Sequence, residues 1–203
     1  MRKQTVAIID SGGANLASVR FALSRLSVPT RLVSKAEELL SAERAILPGV
    51  GAAADAMQRL RDHGLVDALR DYQRPLLGIC LGLQLLYESS SEGGVECLGR
   101  FAGGVDAFDR DVMAGLSVPH MGWNRLAIEK PHAMLTRISN DDWFYFVHGY
   151  RAPVGSATLA SCRHGENFTA VAAHDNVFAC QFHPERSARA GRRILENFLE
   201  WSP

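Results

Sequence analysis

The sequence predicts an α/β fold with an open, mostly parallel, doubly wound sheet and antiparallel additions in its second half. In the first half, short apolar runs alternate with segments that have helical spacing of apolar residues, which is typical of a parallel sheet covered on both faces. From residue 105 to 182, short strand-like segments are punctuated by glycine, proline and asparagine, which favours antiparallel strands. No linker-like stretch divides the 203 residues, so we expect a single domain, 1–203.

The chain begins with a strand and a helix. Residues 5–10 form an apolar run that ends in an acid, and residues 11–13 are expected to turn the chain. Asn15 can cap the next helix, and Pro29 follows its end. One face of this helix is apolar, formed by Leu16, Val19, Leu23 and Leu26.

Further strand–helix units follow. Residues 30–33 and 44–47 are predicted strands, and residues 36–40 are the helix between them. After residues 48–51, an alanine-rich stretch with Met57 and Leu60 predicts a helix, and residues 65–69 predict another. The remaining predicted elements are a strand at 75–79, a helix at 81–88, a loop at 89–94 and a C-terminal helix within 190–201.

Composition excludes several classes of protein. Hydrophobic residues make up 47% of the chain, too many for a disordered protein, and 22 basic residues balance 22 acidic ones, so no net field attracts nucleic acid. The apolar runs are too short for a signal peptide or a membrane span. Four scattered cysteines without a Cys-x-x-Cys pair argue against zinc and disulfides. We therefore expect a cytoplasmic protein with no metal, no cofactor, and neither nucleic acid nor membrane as partner.

Residues 78–82, Gly-Ile-Cys-Leu-Gly, carry the sharpest local signal. They lie where an apolar strand should turn into a helix, and flanking glycines allow a nucleophile to stand clear of the backbone. The helix N-terminus favours a thiolate and can hold an oxyanion through N–H groups such as that of Leu81. A buried core cysteine is the alternative interpretation of Cys80.

Residues 181–185, Gln-Phe-His-Pro-Glu, supply a partner for such a cysteine. Pro184 forces His183 into an extended conformation, in which His183 and Glu185 point the same way. The carboxylate can then orient the imidazole, which predicts a Cys80–His183–Glu185 triad. Alone, the segment would be a surface turn with a solvated glutamate.

Two further features lie beside the predicted nucleophile. Gly49, Val50 and Gly51 belong to a strand-to-helix loop whose backbone N–H groups can face a developing oxyanion, although a plain turn is the simpler interpretation. Gln84 follows Cys80 by one helical turn and can hydrogen-bond a small substrate, or else is a satisfied polar group at a sheet edge.

The two motifs together resemble the class I, triad-type glutamine amidotransferases. Residues 78–84, Gly-Ile-Cys-Leu-Gly-Leu-Gln, and residues 181–185 occur in the order of that family, and residues 48–51 add Pro-Gly-Val-Gly. An α/β-hydrolase would place its acid before the histidine. The resemblance spans the chain.

Other segments are similar to the glutaminase subunits of imidazole glycerol phosphate synthases in histidine biosynthesis. These are residues 10–19, residues 119–124 (Pro-His-Met-Gly-Trp-Asn) and residues 145–150 (Tyr-Phe-Val-His-Gly-Tyr). The resemblance implies that glutamine is hydrolysed to glutamate and ammonia. The ammonia would pass through a channel to a cyclase subunit, a (β/α)₈ barrel and the heterodimer partner, which makes imidazole glycerol phosphate and AICAR.

The same resemblance assigns further roles. It places His148 near the glutamine site and puts a set of residues towards the cyclase interface: His120, Met121, Trp123, Tyr145 and Arg186. Two positions depart from the family pattern, since Ser11 stands where an aromatic residue is usual and Arg186 where lysine is common. Neither departure touches the triad.

Three other functions remain as alternatives. The chain could be a glutaminase subunit of another ammonia-using synthase, a thiol hydrolase acting on peptides or esters, or a non-catalytic binding subunit. The remaining histidines and cysteines are expected to be packed or solvated: His63, His132, His164, His174, Cys97, Cys162 and Cys180.

Overall fold

The structure is a computed structural model that describes residues 5–12, 15–109, 111–113 and 115–203. Its strands, in chain order, are β1 Val6–Ile9, β2 Thr30–Val33, β3 Ala45–Gly49, β4 Leu76–Cys80, β5 Ser89–Ser90, β6 Val95–Glu96, β7 Gly104–Ala107, β8 His120–Arg125, β9 Ala127–Ile128, β10 Trp143–His148, β11 Tyr150–Arg151, β12 Thr158–His164, β13 Glu166–His174 and β14 Val177–Cys180. The α-helices are α1 Leu16–Arg25, α2 Ala36–Leu40, α3 Ala53–Asp62, α4 Leu65–Asp71, α5 Leu81–Leu85 and α6 Ala188–Glu200.

The largest sheet has the strand order β2-β1-β3-β4-β14-β13-β12-β9. From β2 to β14 the neighbouring strands pair in parallel, and from β14 to β9 they pair antiparallel. Strands β1, β3, β4 and β14 are buried along their whole length, as expected for strands covered on both faces. The predicted α/β sheet with antiparallel additions is confirmed.

Not every strand of the second half joins this sheet. Strands β8 and β10 form a separate two-stranded sheet, and β11, β7, β5 and β6 form a four-stranded one. The predicted helix over 81–88 ends at Leu85, because the chain turns into β5 at residues 89–90, where only a loop was predicted. Apolar alternation indicates a strand but does not specify its partner.

Side chains of the central strands divide between two layers of core. In β1, Val6 and Ile8 pack on one side of the sheet, whereas Ala7 and Ile9 pack on the other. Helix α6 covers the first layer with Ile194, Leu195 and Phe198. Helices α3 and α4 cover the second with Met57, Leu60, Leu65 and Leu69.

The carboxyl ends of β3, β4 and β14 meet at one edge of the sheet. Gly49 at the end of β3 pairs with Cys80 at the end of β4, and Cys180 of β14 pairs with Ile79. This is the edge at which open α/β sheets bind ligands. Among the described residues, no helix is both long and apolar enough to cross a membrane.

Candidate active site

Cys80 lies at a sharp turn between β4 and α5. Its backbone has φ 54° and ψ −107°, a conformation that a non-glycine residue adopts only at a cost. A side chain at Gly82 would place its Cβ 1.8 Å from the carbonyl oxygen of Leu47, and one at Gly78 would lie 2.6 Å from Leu86 Cδ1. The glycines therefore allow α5 to pack directly against the sheet, with Cys80 at its start, as the sequence predicts.

His183 and Glu185 form a buried pair beside this turn. His183 Nδ1 lies 2.8 Å from Glu185 Oε1. His183 is extended, with ψ 99°, as Pro184 predicts, but Pro184–Arg186 form a 3₁₀ turn. The expectation that both side chains point the same way along an extended chain was therefore wrong. The turn brings the carboxylate back to the imidazole instead.

Asn15 joins this pair. Its Nδ2 donates a hydrogen bond to Glu185 Oε1 at 2.5 Å and lies 3.3 Å from His183 Nδ1. Asn15 precedes α1, but its side chain makes no capping hydrogen bond, so the predicted capping role is wrong. The amide instead connects the start of α1 to the acid of the candidate triad.

The electrostatics of the pair favour a proton on the imidazole. Burial would lower the pKa of His183, but the Cys80 side chain and the Glu185 carboxylate together raise it to about 10. Burial would raise the pKa of Glu185, yet hydrogen bonds from His183 and Asn15 lower it. His183 Nε2 is buried without a hydrogen-bond partner among the described residues. That nitrogen is therefore free to exchange a proton with a group in the site.

A cavity of about 240 Å³ opens in front of Cys80. Its wall includes the sequence-predicted residues Val50, Gly51, Cys80, Leu81, Gln84 and His148, and also Glu92, Val147, Gly149 and Tyr150. Among these lining residues, Glu92 alone carries a formal charge at neutral pH. It was missed because residues 89–94 have the composition of an ordinary loop.

The loop after β3 forms one side of this cavity. Gly51 has φ +99°, in the region that favours glycine. The Ser11 hydroxyl donates a buried hydrogen bond to the carbonyl of Pro48, 2.5 Å away. Ser11, which stands where the family usually has an aromatic residue, therefore ties the turn after β1 to this loop. Gly13, part of the predicted turn, lies outside the described residues.

His148 belongs to a cluster of histidines formed by the buried His120 and His148 and the half-buried His164. His148 Nδ1 lies 2.8 Å from the carbonyl of Tyr150, and His148 Nε2 lies 3.1 Å from His120 Nδ1. His164 stacks on His120 with ring centroids 4.1 Å apart, although its position in the sequence had suggested no partner. Burial and neighbouring histidines lower the pKa of His120 to about 4 and that of His148 to about 3.

The residues expected at a partner interface fall into two groups. Met121 and Trp123 point outward from β8 and are 63% and 49% exposed, whereas His120 is 4% exposed and lies behind them. Tyr145 contacts Trp123 edge-on, with ring centroids 5.9 Å apart, and the Arg186 guanidinium lies 5.9 Å above the Tyr145 ring. We call Met121, Trp123, Tyr145 and Arg186 the aromatic patch.

In the described part of the chain, no three histidine, cysteine or acidic side chains are grouped so as to hold a metal ion. All four cysteines are buried and free, and Cys80 alone among them lines the cavity. Burial raises the pKa of Cys97 to about 11, that of Cys162 to about 12 and that of Cys180 well above its usual value. Their thiols pack in the core, as predicted.

Comparisons with known proteins show the family to which this chain is similar. The sequence model of the family "Glutamine amidotransferase class-I" matches residues 7–201. The chain is 55% identical over 197 residues to "Imidazole glycerol phosphate synthase subunit HisH" of Xanthomonas axonopodis pv. citri, covering 97% of this chain and 98% of that protein. It is 51% identical over 195 residues to the HisH subunit of Xylella fastidiosa (strain Temecula1), covering 96% of each.

Solved structures show the same fold at lower identity. A glutamine amidotransferase crystal structure superposes with a TM-score of 0.73 at 22% identity, covering 96% of this chain and 97% of that one. PurLQS from Thermotoga maritima superposes with a TM-score of 0.69 at 18% identity, covering 98% of both chains. With its sequence relatives and its fold taken together, the chain belongs to the class I glutamine amidotransferases and, within them, to the HisH family of imidazole glycerol phosphate synthase subunits.

Proposed function

We propose that this chain is the glutaminase subunit of a cytoplasmic imidazole glycerol phosphate synthase and hydrolyses glutamine at Cys80. One observation carries the proposal. The 2.8 Å contact between His183 and Glu185 leaves His183 Nε2 without a hydrogen-bond partner in the described part of the chain, while the Cys80 side chain raises the pKa of that imidazole. These observations support His183 as the base, Glu185 as its orienting acid and Cys80 as the nucleophile.

The chemistry follows from these three groups. His183 takes the proton of the Cys80 thiol, and the thiolate attacks the side-chain amide carbon of glutamine. His183 then donates that proton to the leaving ammonia, and the glutamyl group remains on Cys80 as a thioester. Water, deprotonated by His183, hydrolyses the thioester and releases glutamate and the free thiol. Glu185, held by Asn15, stabilises the imidazolium throughout.

The cavity suits a substrate of amino-acid size. Its volume of about 240 Å³ lies below the roughly 300–1,000 Å³ of sites for drug-sized ligands. Glu92 is the group in its wall that can pair with the α-ammonium of glutamine, and Gln84 can hydrogen-bond the substrate. We assign the N–H groups of Leu81 and residues 49–51 to the oxyanion of the tetrahedral intermediate.

The aromatic patch is proposed as the contact with the cyclase subunit. It combines exposed apolar side chains with one cation, the composition of an interface centre. At this contact Arg186 would pair with an acidic group of the cyclase through the several N–H donors of its guanidinium, whereas the usual lysine would pair through a single ammonium. His120 is buried behind Met121 and Trp123, so it would support these residues without touching the cyclase itself.

The decisive experiment separates glutamine use from ammonia use. The chain is assembled with its cyclase subunit, and product formation is measured with glutamine or with an ammonium salt. Cys80→Ala should lose glutamine-dependent synthesis by at least about 10³-fold and keep ammonium-dependent synthesis. Cys97→Ala, the matched control at a buried cysteine elsewhere, should keep both. Loss of both activities in Cys80→Ala would contradict a pure glutaminase role.

Partner dependence gives a second test. One absent oxyanion donor costs about 10²–10³-fold in rate, so a loop at residues 49–51 that turns its N–H groups away would keep the isolated chain nearly inactive. We expect low glutaminase activity without the cyclase and its nucleotide ligand. Equal turnover by the isolated chain and the assembled enzyme would refute this.

A further inference from the structure

Gln181 is a polar side chain that the proposed mechanism does not use. It follows β14 directly, is fully buried, and places its Nε2 3.7 Å from Cys80 Sγ. The same sulfur lies 3.7 Å from the carbonyl oxygen of Val147. The sulfur therefore has one neighbour that can only accept a hydrogen bond and another whose role depends on how the Gln181 amide is oriented.

The hydrogen-bond network fixes that orientation. One atom of the Gln84 amide lies 3.0 Å from the carbonyl of Tyr150, and because a carbonyl only accepts, this atom must be the NH₂ nitrogen. The same nitrogen lies 3.1 Å from the Gln181 side chain, which must present its oxygen there. Gln181 is then left with its NH₂ group towards Cys80.

The network continues on the far side of Tyr150. Its carbonyl also accepts from His148 Nδ1, so His148 Nε2 is an acceptor and His120 Nδ1 must be the donor to it. His120 Nε2 in turn accepts from Asn124 Nδ2 at 3.3 Å. The lowered pKa values of both histidines agree with these neutral tautomers. Each side chain from Asn124 to Gln181 therefore has a single consistent orientation.

We propose that Gln181 is a catalytic residue, which donates a hydrogen bond from its side-chain amide to the Cys80 thiolate. The proposal rests on the proposed function of Cys80 as nucleophile. The Val147 carbonyl can accept from the thiol but repels the thiolate, whereas the Gln181 N–H group favours the charged sulfur. Because Gln84 prevents the Gln181 amide from turning, its N–H group stays directed at the sulfur.

The test measures the reactivity of Cys80 without glutamine. Iodoacetamide alkylates a thiolate with loss of iodide, and the rate between pH 6 and 10 reports the ionisation of the Cys80 thiol, which lines the cavity. Cys80→Ala gives the blank, since the other cysteines do not line this cavity and have raised pKa values. In Gln181→Met, which keeps the side-chain length and removes the donor, the midpoint should move up by about one pH unit and the rate at pH 7 should fall about tenfold.

Two controls separate this role from a structural one. Gln73→Met removes an exposed amide and should leave the profile of the wild type. In the assembled enzyme, Gln181→Met should lower kcat about tenfold with KM within about twofold, because the contact reaches the sulfur and not the substrate. An unchanged alkylation profile in a folded Gln181→Met chain overturns the proposal.

A measurement on the wild type covers the case in which Gln181→Met does not fold. The side-chain amide protons of Gln181, followed by NMR, should shift as Cys80 ionises and should not shift over that range in Cys80→Ala. Absence of that shift overturns the proposal. Failure of the proposed function would look different: the wild type would show the Gln181-dependent alkylation profile and yet no glutamine hydrolysis with the cyclase.

Discussion

Acidification should destabilise this protein through two buried histidines, His120 and His148. Burial holds their pKa values at about 4 and about 3, whereas both groups titrate near 6.5 in an unfolded chain. Below pH 6.5 the unfolded state therefore binds protons that the folded state excludes. The stabilising contribution is complete above pH 6.5 and is lost as the pH falls towards 4.

The magnitude follows from the number of protons. Each proton taken up on unfolding lowers the free energy of unfolding by about 1.4 kcal/mol per pH unit. Because each histidine of the unfolded chain is only half protonated at pH 6.5, each accounts for about 1.6 kcal/mol between pH 6.5 and 5 and the two for about 3 kcal/mol, a large share of the 5–15 kcal/mol typical of a domain. His132, whose pKa is also lowered by burial, acts in the same direction.

The triad histidine does not offset this loss. Its pKa of about 10 lies above the unfolded value, so its contribution is fully present below pH 6.5 and is lost as the pH rises through 10. Over the interval from 6.5 to 5 it stays constant. The pH dependence of the free energy of unfolding between pH 6.5 and 5 therefore reports the histidine cluster and not His183.

Urea denaturation at pH 6.5 and pH 5.0, followed by tryptophan fluorescence, measures the effect. The wild type should lose about 3 kcal/mol between the two values, and His120→Asn should lose about 1.6 kcal/mol less than the wild type. His174→Asn removes a largely exposed histidine as the control. Equal pH-dependent losses in His120→Asn and His174→Asn, or no loss in the wild type, would refute the reasoning.

Three further predictions concern single contacts. Gly82→Ala should lower the free energy of unfolding, measured by urea denaturation, by about 1–3 kcal/mol or more, because its Cβ would overlap the Leu47 carbonyl. Gly155→Ala, where the added Cβ meets open space, should lower it little. Similar losses in the two variants would contradict the packing argument. Glu185→Gln should lower kcat about 10²-fold or more. It should also shift the titration of His183 in NMR to lower pH, since it removes a charge that raises the His183 pKa. An unmoved titration would contradict the proposed interaction between His183 and Glu185. Ser11→Ala should reduce the free energy of unfolding by about 1 kcal/mol through loss of the buried hydrogen bond to Pro48, and an unchanged urea midpoint would show that this bond stabilises nothing.

Local sequence predicted those parts of the site that are local in the chain. The glycines around Cys80 and the His183-Pro184-Glu185 triplet predict a nucleophile and its base, because turn geometry and proline restrict the backbone there. The contact between His183 and Glu185 was predicted correctly but from the wrong conformation. A two-residue spacing is compatible with both an extended chain and a 3₁₀ turn.

The missed features depend on contacts between distant segments. An asparagine before a helix is usually a cap, and nothing near Asn15 in the sequence reveals that its amide reaches Glu185, 170 residues away. His120 and His148 are separated by 28 residues and meet because β8 and β10 pair in antiparallel register. Such pairings are decided by tertiary packing, which single-sequence patterns do not contain.

The hydrogen bonds of Ser11 and Asn15 have a mechanical consequence. These residues stand at the two ends of the connection between β1 and α1; Ser11 is bonded to the loop after β3, and Asn15 to the acid of the triad. The described ends of this connection therefore contact the two sides of the candidate site, one at the loop after β3 and the other at Glu185. Because both contacts bear on one candidate site, substitutions at Ser11 and Asn15 should combine non-additively in their effect on turnover.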